Sequence, residues 1–165
     1  MIENIEFETT KTPDIQELLD FYVRQKHKIT DSNEKLRRML EKTFCFVTAR
    51  KNDELIGIAR GVTDGLWGGL AECKLDPSYQ GPACITRTDG RIEHDTDGIA
   101  REMACLVIKA LRDDGVERIN AIAHGTEEDF CEDLGFRKRQ GVVVMELSPD
   151  TAIPSPALVS SSSNK

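Results

Sequence analysis

Apolar positions along the chain change period several times, and each change marks an element. IEFETT at 5–10 alternates every second residue, the period of a strand with one buried face. From Pro13 the period lengthens. Ile15, Leu18, Leu19, Tyr22 and Val23 share one face of a helix running to about residue 28, and proline at its start forfeits only an NH without a helical partner. Asp31 or Ser32 then caps a second helix whose stripe is Leu36, Met39 and Leu40. FCFVTAR at 44–50 and LIGIARGVT at 55–63 are strand runs joined by the turn KNDE. Asp64-Gly65 turns the chain into a third run, Trp67 to Leu75, so three antiparallel strands form a meander. Downstream the pattern predicts a helix over 98–114, a strand over 117–123, a short helix near 126–134 and a strand or strand pair over 136–147.

A meander that leads into strand, helix, strand, helix and strand predicts an α/β chain (an α+β mixed sheet), mostly antiparallel, with helices on both faces. With 165 residues, 39% of them hydrophobic, the chain can bury one core. A single domain is therefore expected over 1–148, followed by a Ser- and Pro-rich tail over 149–165 that is expected to be mobile.

Charge narrows the function. A formal net charge of −7 argues against nucleic acid as a partner, because phosphate neutralisation needs clustered Lys and Arg. No apolar run approaches the roughly 20 residues that span a bilayer, so no membrane partner is expected, and MIENIEFETT lacks the regions of a secretory signal. Five cysteines, Cys45, Cys73, Cys84, Cys105 and Cys131, lie in or beside apolar segments without CxxC pairs. They read as reduced thiols of a cytoplasmic protein, with no disulfide frame and no metal site.

Three segments carry a family resemblance: LDPSYQG at 75–81, GIAREMACLVIKAL at 98–111 and FCEDLGF at 130–136. Together they resemble the acetyl-coenzyme A binding half of the GNAT superfamily of N-acetyltransferases, and the order of elements over 3–148 is similar to that architecture. In this family the fourth strand ends in a Q/RxxGxG/A loop, where backbone NH groups and the positive end of the next helix hold the cofactor's pyrophosphate. Glycines there let the backbone approach the ligand. By this resemblance Gln80 and Gly81 open the loop, while Gly98, Ile99 and Ala100 close it. Residues 82–97 are then an insertion where the family has a single residue. A second register, with 95–100 as the whole motif, places Asp95 where the family has Gln or Arg, and both registers stay open.

The insertion has its own pattern. ITRT and RIEH flank Asp89-Gly90, a strong hairpin-turn signal, so a protruding hairpin is expected. It reads either as a lid or substitute phosphate clamp, with Arg87 and Arg91 reaching an anion, or as a surface elaboration that blunts the cofactor site. Asp95 and Asp97 beside a helix N-terminus favour the second, since they would satisfy the NH groups a pyrophosphate requires.

Acetyl transfer to an amine needs a base for the ammonium proton, donors for the thioester carbonyl and an acid for the thiolate. The resemblance points to Glu72 as the base by its place on the fourth strand. His124, after the fifth strand, is a second candidate base, and Cys131 stands where the family's FYxxLGF has a Tyr that protonates the thiolate. Each also has a plain structural reading: a solvent-facing strand Glu, an exposed loop His and a small buried thiol. Main-chain groups of Cys73, Lys74 and Leu75 would pair with the pantetheine arm like an added strand. Trp67, Gly68 and Gly69 either shape the acceptor pocket or cap the core.

What the resemblance implies is a transferase that moves acetyl from acetyl-CoA to a primary amine, of a small molecule or a protein, by direct attack. The alternative is a GNAT-fold module that has lost catalysis and binds or regulates. Free backbone NH groups before the 98–114 helix favour the enzyme, and capping by Asp95 or Asp97 favours the module. Dimers through the last strands are common among such proteins, so a homodimer is a further implication.

Overall fold

The computed structural model describes residues 3–27, 29–84 and 89–155. In chain order the elements are β1 (Ile5–Glu8), α1 (Ile15–Arg24), α2 (Asn33–Lys42), β2 (Cys45–Lys51), β3 (Glu54–Thr63), β4 (Trp67–Leu75), α3 (Ile99–Asp113), β5 (Arg118–Ala121) and α4 (Glu127–Asp133), with a 3-10 turn at Pro77–Tyr79. The five strands form one sheet in the order β1-β2-β3-β4-β5. The first four pair antiparallel, and β5 runs parallel to β4.

Local chemistry sets the helix starts. Asp14, not Pro13, caps α1 by accepting from Gln16 N, which puts the proline just outside the helix. Ser32 caps α2 through Lys35 N at 3.2 Å.

Helices cover both faces of the sheet. On one face, Leu18, Phe21, Tyr22 and Leu36 of α1 and α2 pack on Phe46, Leu55 and Ile58. On the other, Met103, Val107 and Leu111 of α3 pack on Val47, Ala59, Cys73 and Leu75. The approach of α3 is close: a Cβ added at Gly61 would lie 2.7 Å from Val107 Cγ1, so a side chain there has no room.

Two irregularities aim the strands. Ile56 is an extra residue opposite the Ala49/Arg50 step. Ala71 is likewise extra on β4, between the pairs Arg60↔Glu72 and Gly61↔Leu70. Such bulges bend and twist a strand. The second one matters most, because the ladder to β5 ends one residue before it, at Leu70↔Ala121. From Ala71 onward, among the described residues, β4 has no neighbouring strand on that side.

Two expected elements differ. Of the hairpin expected over 82–97, the first arm at 85–88 lies outside the described residues. Asp89 and Gly90 do turn with φ of 41° and 75°, but 91–94 form no strand. This stretch packs inward instead of protruding, with Ile92 1% exposed in the α3-side core. Burying that side chain is worth about 2–3 kcal/mol, more than a marginal two-stranded hairpin in water offers. The strand expected over 136–147 is also absent among the described residues, and Val142 to Met145 stand 62% to 89% exposed. The expected tail lies beyond the description from residue 156, and 149–155 are irregular and exposed.

Candidate functional site

The cleft opens where β4 and β5 part. It has a volume of about 270 Å³ and is lined by Glu72, Lys74, Arg91, His124, Glu127 and Cys131, among others. A larger groove, about 840 Å³, runs along β5 on the side of Phe136 and Arg139. We take the smaller one as the site because it brings the titratable groups together.

Glu72 is held from two elements. Tyr22 OH of α1 donates to its Oε1 at 2.6 Å, and Arg60 Nε of β3 donates to the same oxygen at 3.4 Å. Oε2 has no hydrogen bond among the described residues, and the side chain is largely buried. Burial, and then the Glu72 charge, push the Tyr22 hydroxyl far above its ordinary pKa, so it stays a donor. His27 rests against Tyr22, with ring centroids 5.9 Å apart, and burial pushes its pKa down.

The opposite wall comes from the β5–α4 turn. His124 is largely exposed, with Nδ1 3.7 Å from Glu127 Oε1, while His124 N donates to that oxygen at 3.2 Å. Burial raises the Glu127 pKa, an effect partly offset by the His124 amide and the Lys74 charge. Cys131 also lines the cleft, and burial followed by the Glu127 charge raises its thiol. Cys73 is buried, and its Sγ points to Ala100 O at 3.8 Å. Trp67 lies outside this cleft, with Arg118 stacked on it at 4.8 Å.

The end of the site toward α3 departs from the sequence reading. Gln80, expected at a phosphate loop, is fully buried and serves as an internal clamp. Its Nε2 donates to Leu75 O at 2.9 Å and Arg91 O at 2.8 Å, and its Oε1 accepts from Glu93 N and His94 N at 2.9 and 3.1 Å. The two ends of the 82–97 stretch touch. Thr96 N donates to Gln80 O at 3.2 Å, and Gly81, at φ +118°, lies so close that a Cβ would fall 2.1 Å from Thr96 Oγ1.

Asp95 then settles the helix end. Its Oδ1 accepts from Ala100 N at 2.9 Å and its Oδ2 from Arg101 N at 2.8 Å, while Gly98 N donates to Asp95 O at 3.0 Å. Gly98, at φ 73°, makes no side-chain cap of its own. Of the free edge expected at Cys73, Lys74 and Leu75, Leu75 N is taken by Gly90 O at 3.0 Å. Lys74 Nζ fixes the same turn by donating to Asp89 O at 2.7 Å.

In the conformation described, acetyl-CoA would meet amides already in use: Leu75 N, which its pantetheine arm would use, and Ala100 N and Arg101 N at the helix end, which its pyrophosphate would use, are bonded within the chain. Among the described residues no cluster of His, Cys, Asp or Glu could hold a metal ion, and no helix is long and apolar enough to cross a membrane.

Sequence reasoning missed Tyr22, which it assigned only to an apolar helix face, and Glu127. The latter had a signal: an acid three residues after His124 at a helix start is placed to reach back to a main-chain NH.

No protein-family model matches the sequence, and no curated protein matches it. Solved structures do. A GNAT-family acetyltransferase of Streptococcus pneumoniae is 17% identical, with 87% of this chain and 99% of that one covered at a TM-score of 0.62. An acetyltransferase of Clostridium acetobutylicum solved with acetyl-CoA is 15% identical, with 86% and 96% covered and a TM-score of 0.64. An aminoglycoside acetyltransferase from an uncultured soil metagenomic sample, in complex with sisomicin, is 12% identical, with 87% and 95% covered and a TM-score of 0.64. Agreement over nearly the whole length at such low identity is agreement of architecture: the chain has the fold of the GNAT-family acetyltransferases.

Proposed function

We propose that the protein is an amine N-acetyltransferase that draws its acyl group from acetyl-CoA once the 89–97 segment has left the groove. The observation that carries this reading is Glu72, a largely buried carboxylate lining the splayed β4–β5 cleft with one oxygen fixed by Tyr22 and Arg60 and the other without a hydrogen bond among the described residues. The donor would supply a thioester carbon; the remaining chemistry falls to this chain. Glu72 Oε2 would take the ammonium proton of the acceptor, directly or through water, and Tyr22 and Arg60 keep the carboxylate from turning away. Cys131 is the candidate for returning a proton to the leaving thiolate, its raised pKa keeping it protonated near neutrality.

The acceptor class proposed is a small cationic amine, a polyamine or an aminoglycoside. The net charge of −7 attracts cations, and one structural neighbour holds the aminoglycoside sisomicin. The test is acetylation of such a panel by the full chain. Glu72→Gln should lower kcat about 10²-fold or more, the range of general-base contributions, with little change in KM. Equal kcat for the variant removes Glu72 from the reaction.

A specific observation favours a second reading. Asp95 on the α3 amides and Gly90 on Leu75 leave the groove closed, as a non-catalytic binding or regulatory module would have it. Absence of any acetylated product across the panel at millimolar acetyl-CoA selects this reading.

A further inference from the structure

Nothing in a GNAT-type groove requires the chain to occupy it with its own atoms, yet here it does so at both ends. Gly90 O sits on Leu75 N, where an added strand would bond, and the Asp95 carboxylate sits on Ala100 N and Arg101 N, where an anion would bond. One segment thus supplies a strand-like carbonyl and a phosphate-like pair of oxygens, separated by the buried Ile92.

We infer that residues 89–97 are an internal stopper of the acyl-CoA groove, and that the stopper and the cofactor exclude each other. The inference rests on reading this groove as the acyl-CoA site. The two ends are unequal. Near Gly90 the segment is locked by three hydrogen bonds to the Gln80 side chain, at Arg91 O, Glu93 N and His94 N, and by Lys74 Nζ on Asp89 O. At the α3 end it is held by the Asp95 carboxylate on Ala100 N and Arg101 N and by Thr96 N on Gln80 O. Opening requires release of Asp95 together with loosening of the Asp89-Gly90 turn. The stopper taxes affinity by the fraction of molecules that are open.

The experiment is calorimetric titration of acetyl-CoA into the full chain, into Asp95→Ala, and into Asp95→Ala combined with Lys74→Met, with folding of each checked by its melting transition. Inorganic pyrophosphate is titrated in parallel. The expected result is weak binding by the wild type, at least tenfold tighter acetyl-CoA binding by Asp95→Ala with newly measurable pyrophosphate binding, and a further gain for the double variant. A wild type that already binds acetyl-CoA as tightly as both variants overturns the stopper and leaves the acetyltransferase reading standing. Folded variants that bind neither ligand overturn both. A chain with residues 83–97 removed, leaving Pro82 between Gly81 and Gly98, gives a second check where it folds: it must bind at least as tightly as the double variant.

Discussion

The two halves of β4 present the same edge to different neighbours. From Trp67 to Leu70 that edge carries a parallel ladder to β5. From Ala71 to Leu75, among the described residues, it carries no strand, and a turn of the chain takes its place with a main-chain bond at Leu75. The first arrangement is part of the sheet and opens only with it. The second depends on side chains elsewhere, chiefly Gln80 and Ile92, and can open by itself. A groove can be built into a sheet by ending one ladder early, and filled again by a segment that belongs to no strand.

Removing what holds the upper half should have the largest effect. Ile92→Ala deletes a fully buried side chain and is expected to cost about 2–4 kcal/mol. In native-state hydrogen exchange, the Leu75 amide should lose protection while the Trp67–Leu70 ladder amides keep theirs. Equal loss in both halves would show that they open as one unit. On the lower half, Gly68→Val drives a Cβ to within 2.9 Å of Val116 Cγ1 and against Leu111. Overpacking of this kind costs about 1–3 kcal/mol. It should lower the melting temperature without changing the exchange of Leu75 relative to the sheet, and selective exposure of Leu75 would break the distinction.

The smallest effect concerns pH. Glu127 holds its proton more tightly in the folded chain than in the unfolded one, because burial raises its pKa above the ordinary carboxylate value. The folded state thus binds more protons, and the stability this group contributes is full below that value and is lost as pH rises through the folded pKa. Urea melts of wild type and Glu127→Gln across pH 4 to 8 should show the wild type losing ground to the variant as pH rises. A constant difference across that range would mean Glu127 titrates as an ordinary carboxylate.

Most of this architecture could be read from residue pattern. The apolar periods at 15–23 and 98–111 gave α1 and α3, the runs around KNDE and Asp64-Gly65 gave the meander, and the capping residues placed α2 within two positions. The segment near the site was harder. Asp89-Gly90 correctly marked a turn, but RIEH alternates like a strand only because Ile92 is drawn into the α3-side core, a tertiary demand that no local pattern encodes. The run VVVMEL reads as a strand by composition, yet a strand needs a partner edge, and pattern cannot supply one. At the site, the strand position of Glu72 was legible, and it lines the β4–β5 cleft. Gln80 was misread, since a glutamine at a loop start has the same sequence whether its amide meets a phosphate or clamps its own backbone.

The contacts that shut the groove differ in how mutation can reach them. Gly90 O and the Leu75 NH are main-chain groups, present whatever residue either codon specifies, proline at 75 excepted. The Asp95 carboxylate is set by one codon, and a single base change can convert it to Asn, leaving an amide of the same shape without the charge. Heritable variation in how firmly this protein is shut would therefore enter through side chains, at Asp95 and at the Gln80, Lys74 and Ile92 that hold the turn, while the main-chain contact itself stayed as it was.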